Sequence, residues 1–260
     1  MSTRARRFRA EVLERRPVSE HLVRLVLGGE SLGGFASSGV PDEWVGLVVP
    51  DQFQSRYYTV RSWQQGRLTL EVVLHDAGLV TEWAAGRCVG ETVEVTEPRG
   101  SFAMPAESGW LLLVGDLTAM PAMARIAETV GPHGPPVTVL AEVPDALPDY
   151  LPSWVPVQWL EPPGDGGSAL ADAVAAHPWP QGEGYFWMAG ESAQMRAIRK
   201  HLMRERALPS SAYDVMGYWR QVTRRQPRAV DPGPIWRAGK AAGKSDEQIW
   251  ADYDAAREDG

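Results

Sequence analysis

The segment Arg56-Tyr57-Tyr58-Thr59-Val60-Arg61 sets two guanidinium groups around two phenols and a hydroxyl. It follows the apolar residues Val45, Leu47, Val48 and Val49, so it reads as a strand beside a hydrophobic wall. Alternation puts Arg56, Tyr58 and Val60 on one face and Tyr57, Thr59 and Arg61 on the other. A flavin needs a flat aromatic neighbour, a hydrogen bond at its N5 edge and a cation for its phosphate. Arginine, tyrosine and threonine near a strand end supply all three. Barrel strands also carry tyrosines for packing alone, and the segment by itself does not separate the two readings.

Three further segments fit the same chemistry. In His75-Asp76-Ala77-Gly78-Leu79-Val80-Thr81 a strand ends at the histidine, glycine permits a tight turn, and a helix bearing Trp83 begins near Leu79. Amides at such a helix start suit a pyrophosphate, and Thr81 can add a hydroxyl. An ordinary capped helix has the same look. Residues 115–122, GDLTAMPA, follow the apolar strand WLLLV and open a helix, the strand-to-helix switch where nucleotides sit in doubly wound sheets. Neither the G-x-G-x-x-G fingerprint nor a Walker loop is present here. Residues 188–192, MAGES, are a second strand end opening a helix, with amides that can face a nicotinamide or its phosphates.

The elements that must position these groups change character along the chain. Six short strands with one helical insertion, LVTEWAAG, fill the first hundred residues and predict a small antiparallel barrel. FRAEVLERR places Phe8, Ala10, Val12 and Leu13 inward. HLVRLVLGG offers Leu22, Leu25 and Leu27, and RLTLEVVL puts Leu68, Leu70, Val72 and Leu74 on one face. From residue 108 strands and helices alternate: strands over 110–114, 137–143, 155–160, 185–190 and 213–219, with helices over 119–130, SALADAVAA and SAQMRAIRKHLMRE. That alternation predicts a doubly wound parallel sheet. The reading is a barrel over 1–106, an α/β unit over 107–222 and an extension over 223–260. In the extension, residues 223–234 read as a linker. Ser245 and Gln248 form a capping box that starts a terminal helix, with Ile249, Tyr253 and Ala256 on its apolar edge and Trp250 adjacent. Such a short helix should dock on the body.

Bulk properties narrow the function. The 260 residues carry a formal charge of −7, which disfavours general nucleic-acid binding. A single cysteine, Cys88, excludes an internal disulfide and reads as a packing residue in a reducing compartment. The histidine spacing shows no zinc site, so no metal is expected. No apolar run reaches membrane-spanning length, and the N-terminus lacks the apolar core of a secretory signal, so a cytoplasmic protein is expected, with monomer the default. Most of the eleven tryptophans should be core.

Taken in order, RYYTVR, H-x-x-G before a tryptophan-bearing helix, GDLTAMPA, AGES-x-x-M-R and GYWR resemble the siderophore-interacting protein family, flavin-dependent ferric-siderophore reductases related to ferredoxin–NADP reductases. The likeness spans roughly residues 5–220, and the tail resembles the extension of one branch of that family. The resemblance implies a six-stranded flavin barrel, a nicotinamide-nucleotide unit and non-covalent FAD. It assigns Arg56, Tyr58 and Thr59 to the isoalloxazine and the FMN-side phosphate; Tyr57 is a further cofactor-binding candidate, although alternation points it away from Tyr58. His75, Gly78, Leu79, Val80, Thr81 and Trp83 go to the pyrophosphate and the adenosine end, while Asp116, Thr118 and Ala119 close over the flavin. Ala189, Gly190 and Glu191 would receive NADH or NADPH. Two departures stand out. Gly-Leu-Val-Thr replaces the common Gly-Pro-Ala-Ser, which loses a first-turn proline. Asp-Leu-Thr-Ala replaces Asp-Glu-Thr-Ala, which leaves any role for that glutamate open.

The implied reaction passes electrons from NAD(P)H, or from ferredoxin, through FAD to Fe(III) in a siderophore and needs no acid, base or nucleophile. Ferric siderophores are frequently anionic, so Arg220, Arg237, Lys240 and Lys244 are the substrate candidates. A solvated linker face accounts for them somewhat better. Trp236, Trp219 and Tyr218 fit either a flavin shield or core packing. A siderophore- or flavin-binding protein without turnover, and a general flavin reductase, are the competing functions. Arg196, Arg199 and Lys200 are candidates for a 2′-phosphate, but they sit on an ordinary amphipathic helix.

Overall fold

A computed structural model describes residues 6–52, 54–75, 78–164, 167–220, 232–245, 248–249 and 252. Six antiparallel strands, β1 (Arg7–Pro17), β2 (Leu22–Gly28), β3 (Trp44–Val48), β4 (Arg56–Gln64), β5 (Arg67–Val73) and β6 (Thr92–Thr96), close into a barrel in the order β1-β2-β5-β4-β3-β6. Period-2 patterning makes this barrel: Phe8, Ala10 and Val12 alternate inward from β1 and Leu68, Leu70 and Val72 from β5, all buried. Each such Leu or Val contributes roughly 1.5–3 kcal/mol by leaving water. Leu13 does not join them. A bulge between Val12 and Glu14 shifts the register against β2, and Leu13 is 37% exposed. Helix α1 (Leu79–Ala85) is the insertion between β5 and β6. Cys88 is buried, as a packing residue should be.

The second half is a five-stranded parallel sheet, β7 (Leu111–Asp116), β8 (Val137–Glu142), β9 (Val157–Leu160), β10 (Tyr185–Glu191) and β11 (Tyr213–Trp219), in the order β11-β10-β7-β8-β9. Both faces of β7 are covered, which explains its unbroken apolar run. Leu111 and Leu113 join a core with α2 (Met120–Val130), and Leu112 and Val114 join another with α3 (Leu170–Ala176) and α4 (Gln194–Lys200). Several boundaries differ from the sequence reading by a residue or two, and two of the differences have a visible local cause. Strand β9 begins only after Pro156, and the last predicted helix breaks after Lys200 into a π turn over His201–Glu205.

Helix α2 docks on the barrel through charge. Arg125 donates to Val60 O at 2.7 Å and pairs with Glu43 at 2.9 Å, while Arg61 grips Glu128 with two bonds of 2.8 and 2.6 Å. Glu43 is fully buried and also accepts from Ser38 N at 2.6 Å and from the Ser37 hydroxyl. A second clamp joins Tyr150 to Glu71, which Arg24 also holds at 2.6 Å. Buried Asp42 accepts from Ser101 N at 2.9 Å, Phe102 N at 3.0 Å and Trp187 Nε1 at 3.3 Å, tying the barrel to β10.

Of the extension, helix α5 (Pro232–Ala241) and the start of a second helix are described. The capping box forms: Ser245 N donates to Gln248 Oε1 at 2.9 Å and Gln248 N to Ser245 Oγ at 3.3 Å. Ile249 is buried against Gly239, where a Cβ would lie 2.5 Å from its side chain, so the two helices of the tail pack on each other. Residues 221–231, most of the predicted linker, and Trp250, Tyr253 and Ala256 lie outside the described residues. Among the described residues no helix is long and apolar enough to cross a membrane.

Candidate functional site

Pairing across β3 fixes the faces of β4. Tyr58 lies opposite Val45 and Arg56 opposite Leu47, so these two share the barrel-core face. Tyr57 and Thr59 lie opposite Gly46 and Trp44 and share the other. Tyr58 is half-buried against the core, and burial pushes its phenol up to about 12 against the pull of Arg56. Arg56 and Tyr57 are exposed, Tyr57 by 71%. Thr59 is buried on the outer face, near the phenol of Tyr218 on β11, which burial raises strongly.

On α1 the predicted side chains mostly face inward. Thr81 Oγ1 donates to Val73 O at 3.4 Å, Trp83 Nε1 to Glu91 Oε2 at 2.6 Å, and Val80 and Leu79 pack on the barrel core. What this turn offers outward is His75, which is exposed, and backbone. Gly78 has φ +144, and a Cβ there would meet the His75 ring at 3.0 Å, so only glycine fits. The first internal bond of α1 runs from Glu82 N to Gly78 O at 2.8 Å, which leaves the earlier amides outside the helix ladder. Glu82 Oε1 lies 3.5 Å from Gly78 N and must turn aside for any anion to reach it. Asp76 and Ala77 lie outside the described residues.

The sheet half is packed tightly at its carboxyl edge. Asp116 Oδ1 accepts from Thr118 N at 2.9 Å and Thr118 Oγ1 at 2.5 Å; Oδ2 accepts from Trp219 Nε1 at 2.6 Å. Burial raises this carboxyl above its ordinary value, opposed by the bonds from Thr118 and Trp219. Ala119 and Ala189 are fully buried. Glu191 is buried too, and its Oε2 accepts from Ala193 N at 2.6 Å. Gly190 has φ +154, and a Cβ there would lie 2.7 Å from Asp116 Oδ2.

The basic candidates are scattered. Arg220 follows Trp219 and is exposed, as are Arg237, Lys240 and Lys244. Lys240 Nζ stacks 4.8 Å over Trp236, and Lys244 pairs with Asp252 at 2.8 Å. Arg196, Arg199 and Lys200 line a surface groove of about 630 Å³, where Arg199 donates to Val215 O at 2.5 Å.

Sequence reasoning missed the Asp116–Trp219 bond and the buried acids Asp42 and Glu43. The partners lie far apart in the chain, and two acids beside Trp44 were the only signal. It also missed that Glu20, His21 and Asp145 converge, with donor atoms within 4.8 Å of one another, because Asp145 is remote in sequence.

A closed barrel joined to a five-stranded parallel sheet is the architecture of ferredoxin-reductase-like proteins. A ferredoxin reductase in carbazole 1,9a-dioxygenase shares the fold at TM-score 0.67 and 16% identity, over 84% of this chain and 71% of that one. Residues 51–102 match the siderophore-interacting FAD-binding domain and residues 108–222 the siderophore-interacting protein model. The chain belongs to the siderophore-interacting protein family. A siderophore utilization protein from T. fusca is 28% identical at TM-score 0.70, over 84% of this chain and 94% of that one. The NADPH-dependent ferric-chelate reductase of Escherichia coli (strain K12) is 28% identical over 240 residues, 82% of this chain and 93% of its own.

Proposed function

We propose that this protein is an FAD-dependent ferric-siderophore reductase, acting as a cytoplasmic monomer and releasing iron as Fe(II), with NAD(P)H or ferredoxin as donor. The match of β4, α1 and β6 to an FAD-binding family carries the reading. The donor set agrees with it. Arg56 offers an exposed cation, Tyr58 a half-buried ring, and the glycine turn before α1 offers amides. Together they suit an anionic aromatic cofactor.

Bound FAD supplies the exchange between a two-electron donor and one-electron reduction of ferric iron. The chain's own residues bind and orient. Arg56 would neutralise phosphate and Tyr58 would give a flat wall, while Thr59 on the opposite face of β4 would hold the strand in place beside Tyr218. The backbone from Gly78 to Thr81 would hold the pyrophosphate, with Glu82 turned aside from Gly78 N. Ala189, Gly190 and Glu191 present backbone to the nicotinamide nucleotide. Arg220, Arg237 and Lys240 attract an anionic ferric chelate; Lys244 contributes less because Asp252 already pairs with it. No side chain is required to move a proton at the metal, since weaker chelation of Fe(II) releases it.

The test is an absorbance spectrum of the purified protein, followed by anaerobic titration with NADH, NADPH and reduced ferredoxin in the presence of a ferric chelate and an Fe(II) indicator. A yellow protein that forms Fe(II) is expected. A protein that cannot be loaded with FAD overturns the reading, and one that binds the chelate without turnover is a sequestering protein.

A further inference from the structure

Trp219 ends the edge strand β11 and is 38% exposed, yet it is held at two points. Its carbonyl accepts from Ser192 N at 2.8 Å and Ser192 Oγ at 2.6 Å, and its indole N–H reaches Asp116 Oδ2 at 2.6 Å. Asp116 ends β7, with β10 between the two strands. The bond therefore crosses a neighbouring strand, and glycine makes the crossing possible. A Cβ on Gly190 would lie 2.7 Å from Asp116 Oδ2, and one on Gly217 would lie 2.5 Å from Ser192 Oγ. Thr118 holds the other carboxylate oxygen with two bonds, so the acceptor is aimed before the indole meets it. With both oxygens engaged, Asp116 has no lone carboxylate face to give a ligand. Its effect passes through the groups bonded to it, the Trp219 indole first and the Glu191 backbone beside it.

We propose that Asp116 is a positioning residue that fixes the Trp219 indole as one wall of the slot receiving the donor's nicotinamide end. This rests on the reductase reading. The indole's only polar atom is turned onto a buried carboxylate, so the ring presents an apolar surface at the carboxyl edge, next to Gly190 and Glu191. A wall fixed in advance spares the ligand the ordering of a large side chain. Loosening it weakens nucleotide binding and leaves the later electron transfer unchanged.

Two measurements test this. In ¹H–¹⁵N spectra of the FAD-loaded protein, Trp219→Phe removes and so assigns one indole resonance. That resonance should be displaced downfield and slow to exchange in the parent protein, and lose its protection in Asp116→Ala. An indole signal indifferent to Asp116→Ala overturns the latch, whatever the protein's redox activity. In NAD(P)H oxidation, with rates normalised to bound FAD, Asp116→Ala should raise KM about fivefold with kcat within about twofold. Trp219→Phe should do the same, and the double variant should add nothing. Effects that multiply in the double variant overturn action through Trp219. A parent protein that binds no nicotinamide nucleotide overturns the donor reading and the wall with it, while the indole spectrum still decides the latch.

Discussion

The two halves of the candidate site are built by opposite rules. On the barrel side Arg56, Tyr57 and His75 stand exposed, and the helix α1 offers backbone. On the sheet side the carboxylates are already engaged: Asp116 accepts from Trp219 Nε1 and Glu191 from Ala193 N, each at 2.6 Å. Side chains already bonded to one another shape a slot; side chains standing free can close on a charged ligand. On the proposed reading the barrel half grips by charge and the sheet half guides by shape.

The seam between the halves gives the largest expected effect. Arg125→Ala leaves Glu43, fully buried, facing only Ser37 and Ser38. Breaking a buried pair this way costs roughly 3–5 kcal/mol, read as a lower urea midpoint. Arg56→Ala tests the gripping half. FAD affinity should fall at least tenfold, about 1.5–3 kcal/mol, with the midpoint almost unmoved. An equal loss of stability would show that Arg56 is part of the scaffold and would erase the contrast. Arg61→Ala removes a pair whose glutamate is 44% exposed. Solvent screening limits the cost to about 1 kcal/mol or less.

The smallest effect sharpens the guiding half. Burial holds the Asp116 carboxyl above its unfolded value of 3.8, so the folded chain binds that proton more tightly. The stability this confers is complete below the unfolded pKa and is lost as pH rises through the folded one. Asp116→Asn has no such proton. Relative to the parent, the variant's melting temperature should drift upward as pH climbs from about 4, and a flat difference would place Asp116 in an ordinary polar setting.

What the sequence shows and hides follows the range of the interactions. The barrel was legible because alternation is local, as Leu68, Leu70 and Val72 show, and β7 because burial on both faces leaves one apolar run. Leu13 was misplaced because a bulge breaks the alternation without any glycine or proline to mark it. The family motifs located both turns of the site. They did not reveal that Thr81 and Trp83 bond inward, since which way a helix rolls is decided by partners, Val73 O and Glu91, outside the motif. The Asp116–Trp219 bond was invisible because parallel strands adjacent to a common neighbour are brought together only by sheet order.

Glu43 has a bearing on recombination. It belongs to the barrel, and its counter-ion Arg125 belongs to α2. Any single crossover between relatives that falls at the junction of the two halves separates position 43 from position 125. A chimera made there inherits either a stranded acid or a stranded base unless both parents share the pair. The halves can be shuffled only as a matched set.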